Sequence, residues 1–454
     1  MTVTKRIAIV GAGPAGLAAA KALALEPAKF TIDLFERRDN IGGVWNFHGD
    51  KGNVRPPIPS TDPNGEEKIL PGGFANRFFS SMYKNLETNL TDKLMEYSNV
   101  PFRPRTMNFI DRTEVLQYLE RYAQTIPQSV NVALETNVLD VDKPHGKKWV
   151  VTTENVTSLN KTKGEYDAVV VANGHYELPF IPDTPGLKEW SEKYPESVTH
   201  SKYFVSSADF KGETVLVIGN WASGMDLATQ IGTTAKQVYV STKDETPQES
   251  EYDYVRKSTL VTKYDVTTRL AHTIDGATIK NIDKIVFCTG YLYTFPFFRN
   301  YAPGITNGLS VRNLFKQIFY VDDPSLSFIG LTKFNSPLPL VESQAAVVAR
   351  VWSDRITLPS KEEMRKEYDD EFSKKGDKDF HSLKDCDFTY CNELYDWIVK
   401  TGTDKEGLLP LLWDEERILE RQNVSSVKEK RTAVIVKHAD KLRAEGKEFS
   451  FPEK

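Results

Sequence analysis

The amino-acid sequence predicts an α/β fold with two Rossmann-like dinucleotide-binding domains, the smaller inserted in the larger. Two segments with the order apolar strand, glycine turn and helix begin near residues 6 and 214. This order is the signature of a dinucleotide-binding unit. A further pair of segments, VVVANGHYELPF and KIVFCTGYLYTFPFF, each runs from an apolar strand into Gly, an aromatic residue and Pro. The matched pair indicates that the chain leaves one domain and re-enters it after completing another.

The first strand–turn–helix segment reads RIAIVGAGPAG over residues 6–16. Residues 7–10 form an apolar run that is typical of a strand buried on both faces. Gly11 is expected to form the tight turn, Gly13 to let the backbone approach a pyrophosphate, and Gly16 to pack the helix against the strand. The helix that follows offers free N–H groups and the positive end of its dipole to the phosphates. The segment therefore predicts a dinucleotide site.

Glu36 ends the second strand, TIDLFE, twenty residues after Gly16. A carboxylate at this place accepts a hydrogen bond from a ribose 2′-hydroxyl and would repel a 2′-phosphate. The first site is therefore predicted to bind FAD or NAD. The alternative, a βαβ unit whose glycines only shape a turn, is disfavoured because strand, turn, helix and acid occur together.

The composition excludes several classes of protein. A net charge of −5 from 58 basic and 63 acidic residues provides no basic face for nucleic acid. No apolar run reaches the length of a membrane span, and the first strand begins within six residues, which leaves no room for a signal peptide. Three cysteines without a C-x-x-C motif fit a reducing compartment and argue against a dithiol redox centre. We expect a soluble cytoplasmic protein, and the sequence is compatible with a homodimer.

A second glycine turn, RRDNIGGVWNF, follows Glu36. Gly42 and Gly43 can bring the backbone close to a ligand, and Trp45 supplies a flat face beside it, unless the tryptophan only fills the core. Residues 48–75 contain several Pro, Gly and Asp, which predicts a long irregular loop.

The stretch MYKNLETNL at residues 82–90 places two small polar residues, Thr88 and Asn89, between Leu86 and Leu90. Polar side chains between apolar ones commonly cap or turn the chain. The bare pattern therefore favours a structural role for both residues over a functional one.

The second strand–turn–helix segment, VLVIGNWASGMDLATQI, follows Thr214. Gly219 and Gly224 take the places of the first and third glycines, and Ser223 precedes the last. Trp221 stands where the middle glycine would be. We expect this side chain to hinder the approach of the backbone to a pyrophosphate and to weaken NADP binding.

The next strand, QVYVS, is followed by Thr242 and Lys243 and has no acid at the ribose position. A cation beyond this strand matches the charge of a 2′-phosphate, which predicts NADP rather than NAD at the second site. A solvated surface lysine is an equally good explanation of Lys243 on sequence alone.

These motifs together resemble those of the flavin-containing monooxygenases in their soluble fungal form, from Ile7 to about Trp352. The corresponding segments are GAGPAG with Glu36, GG-x-W at 42–45, Y-x-x-L-x-T-N at 83–89, F-x-T-G-Y at 287–291 and E-x-Q-A at 342–345. A further family signature, F-x-G-x-x-x-H-x-x-x-(Y/F), is kept in part. Its His and final aromatic residue stand as His200 and Phe204. Its Phe and Gly are replaced by Tyr194 and Glu196, departures that predict weaker NADPH binding.

The resemblance implies FAD and NADP as cofactors. It implies that NADPH reduces FAD, that O₂ adds at flavin C4a, and that the hydroperoxide transfers one oxygen atom to soft nitrogen or sulfur in small amines, thiols or sulfides. An N,N-dimethylaniline-type monooxygenase has this activity. The resemblance also places Asn89 beside the flavin, where it supports the hydroperoxide together with bound NADP⁺. Asn89 is therefore the predicted catalytic residue. No metal is assigned, because no His stands in metal-ligand spacing.

The predicted domains and cofactor residues follow. Residues 1–178 are the first part of the FAD-binding domain, 179–295 the NADPH-binding domain, and 296–454 the second part of the FAD domain with a charged helical C-terminal region. SQAAVVARVWSDRI predicts a helix whose start carries Glu342 and Gln344, and the mixed charges beyond Lys361 predict a solvated outer face. The predicted cofactor-binding residues are Gly11, Gly13, Pro14, Ala15, Gly16, Glu36, Arg37, Gly43, Val44, Trp45, Thr88, Asn89, Val138, Gln344, Gly219, Ser223, Gly224 and Lys243.

Three other functions share some of these motifs. A Baeyer–Villiger monooxygenase, which acts on ketones, resembles F-x-G-x-x-x-H-x-x-x-W-P, but no W-P follows His200 here. A two-dinucleotide flavin reductase of the dithiol kind would carry a C-x-x-C motif, which is absent. A nucleotide-binding regulatory protein without turnover would not consume NADPH.

Overall fold

A computed structural model describes residues 4–49, 54–69, 78–104, 108–144, 148–246, 254–299 and 305–452. Within them the helices are α1 (Pro14–Ala24), α2 (Arg112–Ala123), α3 (Leu187–Lys193), α4 (Ala222–Gly232), α5 (Pro337–Trp352), α6 (Lys361–Asp379, kinked at Gly376), α7 (Asp387–Lys400) and α8 (Glu415–Ala444).

The described strands range from two to seven residues in length. They are β1 (Arg6–Val10), β2 (Thr31–Phe35), β3 (Val54–Arg55), β4 (Lys68–Ile69), β5 (Glu87–Thr91), β6 (Phe109–Asp111), β7 (Val130–Ala133), β8 (Thr136–Asp142), β9 (Trp149–Asn155), β10 (Lys161–Tyr166), β11 (Ala168–Val171), β12 (Leu178–Pro179), β13 (Val198–His200), β14 (Thr214–Ile218), β15 (Gln237–Ser241), β16 (Val255–Ser258), β17 (Val261–Asp265), β18 (Leu270–Thr273), β19 (Thr278–Lys280), β20 (Lys284–Phe287), β21 (Tyr291–Leu292), β22 (Leu314–Phe315), β23 (Phe319–Tyr320) and β24 (Leu326–Phe328).

The larger sheet has seven strands in the order β22-β23-β24-β11-β1-β2-β7. Its five strands from β24 to β7 run parallel, so the carboxyl ends of β1, β2 and β11 meet at one edge. β1 and β11 are almost continuously apolar and buried because helices and other chain segments cover both faces of the sheet. α1 and α5 pack within one core cluster beneath this edge.

The smaller sheet has five parallel strands in the order β13-β20-β14-β15-β16, all of which lie between β11 and β22 in the sequence. β12 pairs antiparallel with β21, so the segments that lead out of and back into the larger unit are hydrogen-bonded to each other. The predicted fold class, two Rossmann-like units with the smaller inserted, is confirmed. The exact boundaries at residues 179 and 295 stay predictions.

Three local expectations change. The helix that carries Glu342 begins at Pro337, because proline fits the first position of a helix, and Glu342 therefore lies in its second turn. The loop predicted over residues 48–75 contains the β3–β4 hairpin, although residues 50–53 and 70–75 lie outside the described part.

The charged C-terminal region is the third difference. α6 buries only a few side chains, as a solvated outer helix should. α8 instead forms ion pairs and hydrogen bonds with both nucleotide-binding units. Among the described residues, no helix is both long and apolar enough to cross a membrane.

Candidate functional site

The first glycine turn lies at the carboxyl edge of the larger sheet. Gly11 has a φ of 100°, and a Cβ there would lie 2.6 Å from the carbonyl oxygen of Ala172. A Cβ on Gly16 would lie 1.8 Å from the carbonyl oxygen of Gly11. Both positions therefore require glycine, one for backbone conformation and both for close approach.

The start of α1 is open to an anion. Gly13 caps the helix without any side-chain hydrogen bond, and the first turn holds no acidic residue. Pro14 occupies the first turn, and the N–H groups of Ala15 and Gly16 follow it. A Cβ on Gly13 would lie 3.4 Å from the Cα of Gly43, so the middle glycine is where a second backbone segment comes close.

Glu36 holds this turn from the end of β2. Its side chain is 5% exposed. One carboxylate oxygen accepts a hydrogen bond from the N–H of Ala12 at 2.8 Å and the other from the N–H of Arg38 at 3.0 Å. Each oxygen keeps a further lone pair, so the carboxylate can also accept from a ribose hydroxyl.

Arg38 joins the second glycine turn to the first site. Its guanidinium donates to the carbonyl oxygens of Gly43 at 2.6 Å, Phe78 at 3.0 Å and Phe79 at 2.9 Å. Burial lowers the pKa of Arg38. The sequence did not single out this residue, because nothing in the local pattern distinguishes it from the neighbouring Arg37.

The second glycine turn is built against the first. Gly42 and Gly43 have φ values of 105° and 56°, and a short 3₁₀ helix over Gly43–Trp45 follows. The hydroxyl of Ser80 donates to the carbonyl oxygen of Val44. Trp45 is buried, so it fills the core as well as flanking the turn.

The first site fits FAD in its glycine cradle, its uncapped helix start and its buried acid. The residues that would hold the cofactor are Gly11, Gly13 and Gly16 at the phosphates, Glu36 at the ribose and Gly43 opposite Gly13.

The glycine turn of the smaller unit, from Gly219 to Gly224, has the same backbone conformation as the turn from Gly11 to Gly16. Gly219 has a φ of 106°, and a Cβ on Gly224 would lie 2.0 Å from the carbonyl oxygen of Gly219. Trp221 caps α4 with φ −78° and ψ −173°, close to the φ −73° and ψ −174° of Gly13. As at α1, no side chain caps the helix and the first turn holds no acid, although it includes Ser223. This turn fits the phosphates of a second dinucleotide.

The Trp221 side chain lies at the surface beside the loop that precedes α5. It is 66% exposed, and its ring centroid lies 5.3 Å from that of Phe334 in the loop before α5. Because the backbone at Trp221 matches that at Gly13, any hindrance to a pyrophosphate must come from the indole side chain. Its effect on NADPH binding stays a prediction.

The end of β15 carries an acid that the sequence reasoning missed. Thr242 takes the place of Glu36, and Lys243 is exposed. The carboxylate of Asp244 accepts from the hydroxyl of Thr242 at 3.0 Å and from the side-chain amide of Asn220 at 3.3 Å. The acid lies two residues beyond the expected position and folds back to the turn.

A segment after residue 78 connects the two sites. Ser80 contacts the first site through Val44. The hydroxyl of Tyr83 donates to Asp226 in α4, and the carbonyl oxygen of Asn85 accepts from Gln230 of the same helix at 2.6 Å. Burial and the Asp226 charge raise the pKa of Tyr83 well above its usual value. Residues 80–85 therefore link the two nucleotide sites, and β5 with Thr88 and Asn89 follows them directly.

Thr88 and Asn89 have different roles in this segment. β5 pairs with β6 at Glu87 and at Thr91, and the register is irregular between them. The Thr88 hydroxyl accepts from the N–H of Ile110 at 3.0 Å and donates to the carbonyl oxygen of Leu90 at 2.8 Å. Thr88 thus holds a bulge.

Asn89 lies at the middle of that bulge. Its side chain is exposed and has no hydrogen-bond partner within the part of the chain that the structure describes. Bulges often re-aim a side chain next to an active site.

Three other predicted cofactor residues are engaged with protein. Gln344 is fully buried, accepts from the N–H of Gly330 and donates to Tyr390, at 2.9 Å each. Arg37 forms an ion pair with Glu177. Val138 packs with the ends of β1 and β2 in one core cluster.

A buried charge cluster lies where the two units meet. Lys202 has no exposed side chain, and its Nζ lies 2.7 Å from Glu67 and 3.2 Å from Glu177. Burial would raise the pKa of Glu177, but the neighbouring cations Arg37, Lys202 and Arg38 lower it to about 2. These charges join residues that are far apart in the sequence, and no local motif indicates them.

Buried Glu342 behaves differently from a surface acid. It accepts from the N–H of Ser98 at 2.7 Å and from the hydroxyl of Tyr122 at 3.0 Å. Burial raises its pKa to about 7. Among the described residues, no cluster of His, Cys, Asp and Glu could hold a metal ion.

Comparisons with known proteins agree with this geometry. The model of a family described as flavin-binding monooxygenase-like matches residues 75–250 and 243–418, and that of NAD(P)-binding Rossmann-like domains matches residues 9–58. A thiol-specific monooxygenase of Saccharomyces cerevisiae is 29% identical over 99% of this chain and 98% of its own. The flavin-containing monooxygenase FMO GS-OX4 of Arabidopsis thaliana is 34% identical over 80% of this chain and 76% of its own.

Two solved structures are similar over nearly the whole chain. The S-allyl-L-cysteine S-oxygenase from Allium sativum has a TM-score of 0.79 at 29% identity and covers 98% of both chains. The protein Tmm from a Pelagibacter strain has a TM-score of 0.72 at 22% identity, with coverage of 98% of this chain and 94% of its own. The second likeness concerns the fold alone.

Proposed function

The chain belongs to the flavin-binding monooxygenase-like family and is a monooxygenase with FAD and NADP(H) as cofactors, and on that premise we propose how it works. FAD binds at the turn from Gly11 to Gly16, and NADPH binds at the turn from Gly219 to Gly224. One oxygen atom of O₂ passes to soft nucleophilic sulfur or nitrogen in a small molecule. The flavin supplies the chemistry with O₂ when it is bound and reduced.

The placement of Asn89 carries this proposal. Among the described residues its amide has no hydrogen-bond partner, and it follows a segment that contacts the first site through Ser80 and the second through Tyr83. Because an amide both donates and accepts, Asn89 can hydrogen-bond to the reacting oxygen and to the bound dinucleotide. The backbone around it is fixed by the Thr88 hydroxyl, which limits its freedom before any ligand binds.

Small sulfur compounds are the first substrate class to test. A relative named for thiols and a structure named for S-allyl-L-cysteine both align with at least 98% of this chain. Thiols and thioethers are therefore proposed substrates, and tertiary amines are the second class. We also propose a cytoplasmic location, because Cys288, Cys386 and Cys391 form no disulfide.

The test is the variant Asn89→Leu, which keeps side-chain size and removes the amide. It should retain FAD and be reduced by NADPH at an unchanged rate. The ratio of oxygenated product to NADPH consumed should fall, with H₂O₂ formed in its place. Asn423→Leu, an exposed position on α8, is the matched control and should leave the ratio unchanged.

An unchanged ratio in Asn89→Leu would assign the asparagine a structural role, as the bare sequence pattern suggested. The same assay separates the alternative functions. Product from ketones alone would indicate a Baeyer–Villiger monooxygenase. NADPH consumption without any oxygenated product would indicate a reductase.

A further inference from the structure

α8 lies against the strand that carries Asn89. The side chain of Glu87 is only 6% exposed and is held by two cations of α8. The Nζ of Lys428 lies 3.0 Å from one carboxylate oxygen, and Arg431 donates to the other through Nε at 3.0 Å and Nη2 at 2.7 Å. A buried carboxylate with such partners is fixed in place.

The same helix contacts the strand on both sides of Asn89. Lys428 Nζ also donates to the carbonyl oxygen of Thr88 at 2.8 Å. Farther along, the Thr91 hydroxyl donates to Glu420 at 2.5 Å. Side chains of α8 therefore contact the residue before Asn89 and the residue two after it.

These contacts take the place of regular backbone pairing between β5 and β6 around Asn89. Between its pairs at Glu87 and Thr91, β5 has an irregular register with β6. A strand without regular backbone pairing has freedom to shift its side chains. The position of Asn89 consequently depends on Thr88, inside the bulge, and on α8, outside it.

The far end of α8 binds the NADP unit. Arg443 Nη1 donates to the carbonyl oxygens of Gly232 at 2.5 Å and Ala235 at 2.6 Å, which lie at and just beyond the end of α4. A guanidinium at a helix C-terminus satisfies its free carbonyl groups. One continuous helix thus connects the end of the NADP-site helix to the Asn89 strand.

We propose that Lys428 and Arg431 are positioning residues that act through Glu87 and Thr88 to hold Asn89 in place for oxygen transfer. They contact neither of the glycine turns. The inference rests on the proposed role of Asn89. It extends that role to a C-terminal helix whose charge pattern indicated only a solvated surface.

The test compares Lys428→Met with Lys430→Met, an exposed lysine on the same helix. Lys428→Met should lower product formed per NADPH by about twofold or more, the usual size of a coupling effect. FAD content, melting temperature and the rate constant of flavin reduction by NADPH should stay near those of Lys430→Met. Lys428→Arg, which keeps a cation beside Glu87, should restore most of the ratio.

The decisive comparison is a double-mutant cycle. If Lys428 acts through Asn89, Lys428→Met should cause no further loss in an Asn89→Leu background. Additive losses would overturn the inference, as would a normal ratio in Lys428→Met. If Asn89→Leu lowers the ratio and Lys428→Met does not, the proposed function stands and only this inference fails.

If Asn89→Leu itself has no effect, the proposed role of Asn89 fails and this inference with it. If Lys428→Met loses its flavin, Glu87→Gln replaces it in the cycle, because the isosteric amide removes the negative charge that Lys428 and Arg431 share. The same loss of product per NADPH is expected, and a normal ratio would contradict the inference.

Discussion

The glycine turns of the two nucleotide sites, Gly11 to Gly16 and Gly219 to Gly224, have the same backbone conformation and differ in their neighbours. Both begin with a glycine at a φ near 100° and end with a glycine that touches the first, with virtual Cβ distances of 1.8 and 2.0 Å. The middle residues, Gly13 and Trp221, have φ and ψ within a few degrees of each other. The difference lies in the neighbours: Gly43 packs on Gly13, whereas Trp221 faces solvent and Phe334.

The comparison shows why the glycines of the fingerprint are not equally necessary. The first and third are required by the turn itself. The middle position accepts a side chain at Trp221, and even at Gly13 a Cβ would lie in ordinary contact with Gly43, 3.4 Å from its Cα. Selectivity between dinucleotides is then predicted to depend on the end of the second strand, where one site has a buried acid and the other has Thr242, Lys243 and Asp244.

Glu36→Ala should break the first turn and have the largest effect. The substitution removes two charge-assisted hydrogen bonds within the turn and one predicted to the ribose. Such bonds contribute about 1.5–3 kcal/mol, so flavin affinity should fall about ten- to a hundredfold. The measurement is the Kd of the apoprotein for FAD. Glu165→Ala, on the exposed face of β10, is the control, and equal affinities in the two variants would refute the assignment.

Lys243→Ala should weaken the second site selectively. If the ammonium binds the 2′-phosphate, KM for NADPH should rise by about fivefold, the effect of an exposed ion pair of about 1 kcal/mol. KM for NADH should stay the same, because NADH has no 2′-phosphate. Lys211→Ala serves as the control on the same unit. An equal change for both cofactors would mean that Lys243 is a solvated surface residue.

Asp244→Asn should sharpen the preference for NADPH. The carboxylate lies beside the turn and repels a 2′-phosphate, whereas the amide keeps the hydrogen bond with Thr242. We expect KM for NADPH to fall about two- to threefold, since an exposed charge has a small effect. KM for NADH should rise or stay constant. A higher KM for NADPH in this variant would show that Asp244 positions Lys243 or the turn.

Trp221→Gly should have the smallest effect, because the indole is exposed and glycine is accepted at a helix N-cap. Substitution of an exposed residue usually changes free energies by less than about 0.5 kcal/mol, or about twofold in Kd. Titration with NADP⁺ measures this. A large gain in affinity would show that the indole obstructs the pyrophosphate, as the sequence indicated. A large loss would show that the indole contacts the cofactor.

The sequence predicts the features that depend on residues close together in the chain. Apolar strands, glycine turns and helices of both units follow from short patterns, and the structure has them at Gly11 and Gly219 as expected. The family resemblance adds a role for Asn89 that its pattern alone disfavours. Asn89 is exposed on a bulge that the hydroxyl of Thr88 holds, and the roles of both residues at the cofactor stay predictions.

Contacts between segments that are far apart in the sequence cannot be predicted from these local patterns. Asp244 was missed because the acid reaches the turn by folding back from two residues beyond the expected position. The partners of Glu87 lie on α8, more than 300 residues away, and a helix with mixed charges looks the same whether it faces water or an ion pair. The amide of Gln344 is bonded to Gly330 and Tyr390, and its predicted role at the cofactor stays a prediction.

Oxygen labelling of the unmodified protein tests the central claim most directly. With NADPH, ¹⁸O₂ and a thioether or tertiary amine, the account predicts that each product molecule carries one labelled oxygen. The amount of product formed should nearly equal the amount of NADPH consumed, and little H₂O₂ should form. A product without label, or NADPH oxidation that returns all of the label as H₂O₂ with every substrate offered, would contradict oxygen transfer by this protein.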